Sequence, residues 1–442
     1  MIKKIIQNKL IFYLTGIFFI LIYFLTRTFM GIYIFNYRIG EIAILSSMII
    51  LICSIFIKSN TISESSVWTK GLKVTLIFLI LYFIFSVLYF GNSFTNPYIY
   101  KTSSYIWSIG FIYFGIIIFE NRNISQYYLT ILLILLGWIY FYNIYGISEA
   151  LQNYLLIFSD KFEYHKGSDL LIMFVVALFI FNRFYFDKRV VLELFTIFSA
   201  LYLPLFLFKS RGAFIAFVLF FILEMYLLKK EFYNFKRNLI LLFITGIILV
   251  QSIFTVTKSG YIAIEEIDNR AEQIITYRAP TDTDSEYVFL YFENGRFFST
   301  DGNLNWRIQI WQDVVSDLTS ERKILLGYGY GTKIPAMEPI YRSGVDGTNE
   351  NVHNFLINIF ARGGLISLLI YLTFFALLII NIFKLKNSLE VLNLVLPILI
   401  TSLFDASMEN SHFSLIFYIT IGLYIQKLDS IKDSYFRDTN YK

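Results

Sequence analysis

The sequence is short of charge, cysteine and histidine. Only 16% of its 442 residues are Asp, Glu, Lys or Arg, well below the quarter that soluble domains usually carry. The single cysteine, Cys53, excludes an intrachain disulfide, and a net charge of +5 is too small for this length to indicate a nucleic-acid partner. Hydrophobic residues make up 57%, so the scarcity of charge is explained if much of the chain faces lipid or other helices.

Long apolar runs are plentiful. A bilayer core needs about 20 apolar residues per helix. The runs predict an all-α integral membrane protein with about 12 transmembrane helices and one large extracytoplasmic loop that carries short helices. The predicted spans lie near residues 10–29, 39–57, 72–90, 104–119, 127–146, 168–186, 190–208, 212–228, 238–256, 362–383, 391–408 and 411–427.

The pattern of spans predicts four regions. Residues 1–256 form a bundle of about nine helices, 257–352 the large loop, 353–427 the remaining helices and 428–442 a cytoplasmic tail. Lys and Arg are concentrated in alternate short loops, which places both termini in the cytoplasm and the large loop outside. The first apolar run is long enough to stay as a membrane helix rather than be cleaved as a signal peptide.

The large loop has helical features of its own. The stretch "LNWRIQIWQDVVSDL" (304–318) predicts an amphipathic helix, followed by the glycine-rich turn "LLGYGYGTKIP" and a second short helix that breaks near Gly363-Gly364, before the tenth span. The predicted apolar face of the amphipathic helix consists of Leu304, Ile308, Trp311, Val315 and Leu318.

One of only three histidines, His353, stands where this polar loop meets the next apolar stretch. An imidazole has an ordinary pKa near 6.5, which suits it to proton transfer at neutral pH. The alternative is a structural role, in which the histidine caps the helix or binds a loop carbonyl.

A second candidate is Arg211, in "FKSRGAF" (208–214), between two apolar runs on the outer side. An arginine at the start of a helix suits the binding of an anion. The alternative is that Lys209 and Arg211 reach to the interface and pair with lipid phosphates.

Three stretches together resemble the O-antigen polymerase (Wzy) and O-antigen ligase superfamily of polytopic membrane glycosyltransferases. They are "KSRGAFIAFVLFFILE", "NWRIQIWQDVVSD…ILLGYGYG" and "VHNFLINIFARGGLISLLIYL", in the family's order around one large outer loop. The resemblance covers roughly residues 205–385, and the first half of the chain matches only as a set of spans.

The resemblance implies a metal-independent glycosyltransferase that needs no cofactor. It would polymerise undecaprenyl-diphosphate-linked oligosaccharide repeat units into O-antigen or a related surface polysaccharide. His353 would be catalytic, and Arg211 and Arg307 would bind the diphosphate. For Arg307, a surface charge on the amphipathic helix is an equal alternative. The possible supporting residues are Ser210, Trp311 and Asn354; Trp311 is more typical of a core position.

The implied setting is the bacterial inner membrane, with the active site on the periplasmic side. The implied partners are the lipid-linked glycan donor and acceptor, the bilayer and, as a further candidate, a chain-length regulator. Two alternatives stay open. A ligase would transfer the glycan to lipid A–core, and no single residue separates it from a polymerase. A flippase or transporter of the lipid-linked oligosaccharide belongs to a different class.

Some acidic residues lie in or near predicted spans. Glu193 and Glu224 are costly inside a membrane, so they either have a function or pair with basic residues. In "FDASMENSHF" (404–413), Asp405, Glu409 and His412 either line the cavity or form an ordinary polar turn.

Overall fold

The structure, a computed structural model, is predominantly helical. It describes residues 7–56, 67–120, 122, 124–159, 165–233, 235–275, 290–339, 342, 349–385 and 389–439. The helices are α1 (Lys9–Met30), α2 (Ile39–Phe56), α3 (Lys70–Tyr89), α4 (Pro97–Thr102), α5 (Ser104–Trp107), α6 (Gly110–Ile118), α7 (Gln126–Tyr145), α8 (Glu149–Phe158), α9 (Gly167–Phe184), α10 (Lys188–Lys209), α11 (Arg211–Leu227), α12 (Phe235–Ile275), α13 (Gly302–Ser320), α14 (Phe355–Leu385), α15 (Glu390–Ser402) and α16 (Ser411–Thr439). Two antiparallel hairpins pair β1 (Tyr33–Ile34) with β2 (Tyr37–Arg38) and β3 (Leu290–Glu293) with β4 (Arg296–Ser299).

Within the described residues, seven helical stretches are long and apolar enough to cross a bilayer. They are Lys9–Met30, Lys70–Tyr89, Gln126–Tyr145, Gly167–Phe184, Lys188–Lys209, Lys236–Thr257 and Phe355–Leu385. The chain is therefore a polytopic helical membrane protein. Each of the twelve predicted runs overlaps a helix, but the count of twelve spans stays a prediction. The run at 104–119, for example, is divided between α5 and α6.

Helix α9 is the centre of the bundle. Of the residues Gly167–Phe184, 94% are buried. The helices packed around α9 are α7, α10, α11, α15 and α16. A helix that is apolar all round belongs in such a position. Elsewhere α6 and α16 cross at two glycines: a Cβ on Gly115 would lie 2.6 Å from the Ile419 carbonyl oxygen, so only small residues permit this approach.

Helix α13 is amphipathic as predicted, but its buried face differs from the predicted one. Ile310, Val314 and Leu318 are fully buried, at a spacing of four residues, whereas Val315 is 49% exposed. The helix packs on the turn that follows it and on the first part of α14. The apolar residues of this helix lie along more than one line on its surface, so the sequence predicts a helix but not which side is buried. Packing against the neighbouring elements buries the side centred on Val314.

The predicted break near Gly363-Gly364 is confirmed. Gly364 interrupts α14 with φ 63° and ψ −170°. Backbone hydrogen bonds join the glycine-rich turn to α14 on both sides of the break. Tyr328 N–H donates to the Ala361 carbonyl (2.8 Å), and Leu365 N–H donates to the Ile324 carbonyl (2.8 Å). Backbone groups released by the broken helix are thereby satisfied inside the protein.

The two carboxylates predicted within spans have basic partners. Glu224 accepts two hydrogen bonds from Arg183, of 3.0 and 2.6 Å. Glu193 forms ion pairs with Arg189 (3.1 Å) and Arg237 (2.6 Å). Pairing with basic residues therefore accounts for both.

Candidate active site

The Ser-Arg-Gly motif forms the start of α11. Ser210 is the N-cap residue, and its hydroxyl accepts a hydrogen bond from Ala213 N–H (3.3 Å). A Cβ on Gly167 would lie 2.4 Å from the Ser210 Cβ, so α9 and α11 begin side by side. Arg211 is the first helical residue, and its side chain is 69% exposed. Ser210 thus has a structural role that orients Arg211.

Arg211 is joined to the start of α13 by an ion pair. Its Nη1 lies 2.7 Å from Asp301 Oδ2. Asp301 is also the N-cap of α13, where its Oδ1 accepts from Leu304 N–H (2.8 Å). This pair brings the two arginine motifs together.

Arg307 lies in the second turn of α13 and is half-buried. Within the described part of the chain, its Nε has no hydrogen-bond partner. Burial lowers the pKa of Arg307, while the charges of Asp405 and Asp301 act in the opposite direction. A half-buried guanidinium with an unused donor suits an anionic ligand.

His353 lies two residues before the start of α14, in the left-handed region with φ 52°. Its ring lies 5.0 Å from the Trp306 ring, at an interplanar angle of 58°. Its Nδ1 is 3.8 Å from Asp405 Oδ1, and its Nε2 is 3.0 Å from Asn349 Nδ2. A non-glycine residue with positive φ is uncommon, and such backbone strain is often found at functional sites.

Asp405 lies in the segment that connects α15 to α16. Its Oδ2 accepts a hydrogen bond from the Ser168 hydroxyl (2.8 Å). Burial raises the pKa of the Asp405 carboxyl, but His353, Arg27 and Lys166 together outweigh burial and hold the pKa below its usual value. The carboxylate beside the imidazole is therefore ionised at neutral pH.

The other two residues predicted as supporting ones act on the backbone around His353. Trp311 Nε1 donates to the carbonyl of Val352 (2.7 Å). Asn354 is buried, and its Oδ1 accepts from Ile357 N–H (3.0 Å) in the first turn of α14. Both residues hold the strained segment in place.

Three residues of this cluster escaped the sequence prediction, and two of them had a weak signal. Asp301 precedes an amphipathic pattern, as an N-cap residue does. Trp306 stands beside Arg307 in the same motif, where Trp311 was taken as the candidate aromatic residue. Asn349 belongs to the polar run before His353, and nothing in the residue spacing of that run distinguishes Asn349 from its neighbours.

The polar segment 404–413 serves three separate clusters. His412 Nε2 lies 2.8 Å from Asp169 Oδ1, and Arg27 Nε lies 3.0 Å from Asp169 Oδ2, in a buried ion cluster. Glu409 accepts a hydrogen bond from the buried Asn358 amide. Of the three predicted candidates in this segment, only Asp405 contacts His353.

In the part of the chain that the structure describes, no group of three or more His, Cys, Asp or Glu side chains is arranged to hold a metal ion. An Asp-x-Asp pair, Asp282 and Asp284, lies in 276–289, outside the described residues. The cluster around His353 and Arg307 is instead one of charged and hydrogen-bonding groups.

Part of the chain resembles a known protein family. Residues 194–372 match the family model Wzy_C, described as O-Antigen ligase. The matched range contains Arg211, Arg307 and His353. No curated protein matches the sequence. Over this range, which is less than half of its length, the chain is similar to the Wzy/O-antigen ligase family, whose members are membrane glycosyltransferases.

Proposed function

We propose that this protein polymerises undecaprenyl-diphosphate-linked oligosaccharide repeat units into O-antigen or a related surface polysaccharide. The observation that carries the proposal is the convergence of two arginines and a carboxylate-paired imidazole at the start of α13. Arg211 binds Asp301, Arg307 lies six residues further along, in the second turn of α13, and His353 packs on the residue beside Arg307. These are the groups that transfer from a diphosphate donor requires.

The arginines stabilise the leaving group. Outside the cytoplasm there is no supply of nucleotide sugars, so the donor carries its own activation as a lipid diphosphate. As the donor binds, its diphosphate replaces Asp301 as the partner of Arg211 and engages the unused donor of Arg307. The planar guanidinium forms two parallel hydrogen bonds to phosphate oxygens, which a lysine does not reproduce.

His353 receives the proton. The acceptor hydroxyl oxygen bonds to the anomeric carbon, and the bond from that carbon to the diphosphate oxygen breaks with its electron pair leaving on the diphosphate. The hydroxyl proton passes to His353 Nε2, where the acceptor takes the place of the Asn349 amide. Asp405, on the Nδ1 side, stabilises the imidazolium and keeps the ring oriented.

The site lies at one end of the bundle, which we assign to the periplasmic side. The starts of α9, α11 and α14 and the connection from α15 to α16 meet there, through Ser168, Ser210, His353 and Asp405. The Lys and Arg distribution in short loops supports this orientation, with both termini cytoplasmic.

A ligase is the second candidate, because the matched family model carries that description. It uses the same donor, and its acceptor is lipid A–core instead of a second carrier-linked repeat unit. The preference for a polymerase rests on the aromatic richness of the chain, which is an argument by analogy. A flippase would move the lipid-linked glycan without forming a bond.

The test is a purified-protein assay in detergent with lipid-linked repeat units, with and without lipid A–core. Longer carrier-linked chains support the polymerase, and glycan on the core supports the ligase. Movement across liposomes without new glycosidic bonds would indicate a flippase.

Variants test the residue roles in the same assay. His353→Ala and His353→Asn are expected to lose at least about 10²-fold in rate; Asn also tolerates the left-handed backbone. Arg211→Lys keeps the charge and is expected to lose activity strongly, whereas the matched control Arg237→Lys, at the distant pair with Glu193, should not. Near-normal chains from both His353 variants would remove the histidine from the mechanism.

A further inference from the structure

The hairpin of β3 and β4 presents an unusually apolar face. Phe292 pairs with Phe297 across the two strands, their rings are 5.0 Å apart, and Leu290 lies on the same face two residues earlier. Phe292 is 63% exposed, Phe297 is 54% exposed and Leu290 is 47% exposed. Contiguous exposed apolar residues of this size indicate an interaction surface.

This hairpin is anchored firmly to α13. Gln312 Oε1 accepts from Phe297 N–H (2.8 Å), and Gln309 Nε2 donates to the Phe297 carbonyl (2.8 Å). Arg296 forms an ion pair with Asp313 (2.6 Å). Two-stranded hairpins are marginal alone, so these contacts hold the apolar face in one orientation relative to α13.

The hairpin also lies next to a membrane-spanning surface. Ser299 ends β4 two residues before Asp301, and Asp301 binds Arg211 at the start of α11. The last turn of α10 carries exposed Leu207 and Phe208 just before this point. The hairpin is thus connected, through the Asp301–Arg211 ion pair, to the point where spanning helix α10 ends, and that end carries exposed apolar side chains.

We propose that this face, Leu290, Phe292 and Phe297, lies in the interfacial layer of the bilayer leaflet on whose side α11 begins. Apolar and aromatic side chains such as Leu and Phe bury into that layer. The insertion holds the first turns of α13, with Arg307, at headgroup level. It depends on the protein being embedded in a membrane and not on the proposed transferase chemistry.

The experiment measures the depth of a nitroxide spin label in lipid vesicles of phosphatidylethanolamine and phosphatidylglycerol. A Cys53→Ser background removes the native thiol. Labels are placed at Phe292→Cys and Phe297→Cys. Collisional relaxation by oxygen, which concentrates in lipid, is compared with relaxation by a water-soluble nickel chelate.

Two controls calibrate the scale. Leu81→Cys, on the exposed side of the spanning helix α3, marks the hydrocarbon core and shows that the protein has inserted. Glu293→Cys lies on the opposite face of the same hairpin and marks water. We expect labels at Phe292 and Phe297 to show oxygen-to-nickel ratios several-fold above the Glu293 label.

Equal nickel accessibility at Phe292, Phe297 and Glu293, in protein whose Leu81 label reports insertion, would overturn the proposal. The face would then stand in water, as a docking surface for a second copy or for a soluble partner. Because the measurement needs no catalytic turnover, an inactive protein with lipid-exposed labels would count against the proposed function while leaving this inference intact.

Discussion

At the scale of single residues, the site is a balance of neighbouring opposite charges. Asp301 holds Arg211, and Asp405 lies beside His353 and near Arg307. Asp301 neutralises Arg211 until the substrate arrives. Asp405 keeps its place because Ser168 binds its other oxygen, so its charge serves the imidazole and not the diphosphate.

Asp405→Asn removes that charge and keeps the shape of the side chain. We expect kcat to fall about 10- to 10³-fold, because the imidazolium formed by proton transfer loses its counter-charge, while KM for the lipid-linked donor changes less. Steady-state kinetics with purified protein checks this. Glu193→Gln, an acid-to-amide change at a distant ion pair, is the control. Unchanged kcat in Asp405→Asn would show that the carboxylate does not serve His353.

Glu409, four residues beyond Asp405, is a second carboxyl of the same connecting segment. Burial raises the pKa of Glu409 from 4.5 to about 7, although Arg362 and the Asn358 hydrogen bond act to lower it. In the unfolded chain the carboxyl ionises near pH 4.5. Between these pH values the folded protein binds more protons, so the contribution of Glu409 to stability is lost as pH rises towards 7.

Glu409→Gln removes this titration and keeps an acceptor for Asn358. We expect the variant to melt at a higher temperature than the wild type at pH 8, and the difference to shrink towards pH 4.5. Thermal unfolding in detergent across this pH range measures it. Glu338→Gln changes an exposed carboxyl and is expected to have no such effect. A pH-independent difference for Glu409→Gln would contradict a raised pKa.

At the scale of elements, the critical feature is the break in α14. It turns the first part of the helix, which follows His353, against the glycine-rich turn. Gly327 approaches so closely that a Cβ there would lie 2.6 Å from the Arg362 carbonyl oxygen, and its φ is +70°. Arg362, in turn, donates to the Thr332 carbonyl and to the Tyr98 hydroxyl (3.2 Å). The turn and the break therefore form one packed unit that fixes the start of α14, next to His353.

Gly364→Ala should disrupt this unit. The new Cβ would lie 2.2 Å from the backbone carbonyl oxygen of Leu325, and φ +63° is unfavourable for alanine, so we expect a loss of about 2 kcal/mol or more in stability. Gly137→Ala in α7, where nothing lies within 4 Å of the added Cβ, should be neutral or stabilising. Thermal unfolding of the two variants measures the contrast. Equal melting temperatures would show that the break is not required.

At the scale of the whole molecule, a buried ionic cluster joins helices from both halves of the chain. Arg183 of α9 binds Glu224 of α11, Asn393 of α15 donates to the same carboxylate, and Glu390 lies 3.7 Å from Arg183. Glu224 is completely buried. A charge in this position needs its partner, because lipid and apolar side chains cannot replace water.

Glu224→Gln removes the closer charge partner of the buried Arg183 and leaves the longer ion pair to Glu390. We expect a loss of about 3–5 kcal/mol, seen as a large drop in melting temperature or as failure to accumulate in the membrane. Glu193→Gln removes a carboxylate whose partner Arg237 is half exposed, and it should cost much less stability than Glu224→Gln. If both variants were equally stable, the buried cluster would not hold the bundle together.

Much of the element order could be read from the sequence, because hydrophobic runs and helical periodicity are local properties. The apolar runs, the amphipathic helix and the break at Gly364 are examples, and the motifs indicated Arg211, Arg307 and His353 as candidates. The buried face of α13 was predicted wrongly, because residue periodicity alone does not distinguish adjacent apolar faces of a helix. Adjacent apolar stripes look alike until another element covers one of them.

Only the tertiary structure decided which side chains meet. The pairing of Arg211 with Asp301, the place of Asp405 beside His353 and the contact of Trp306 with the imidazole all join segments that are distant along the chain. The physical reason is that electrostatic attraction and ring packing depend on the distance between two side chains in space. Residue spacing along one helix does not specify the distance to a residue on another segment. The sequence by itself determined the helices of a membrane protein and its candidate chemistry, whereas packing determined the partner of each charge.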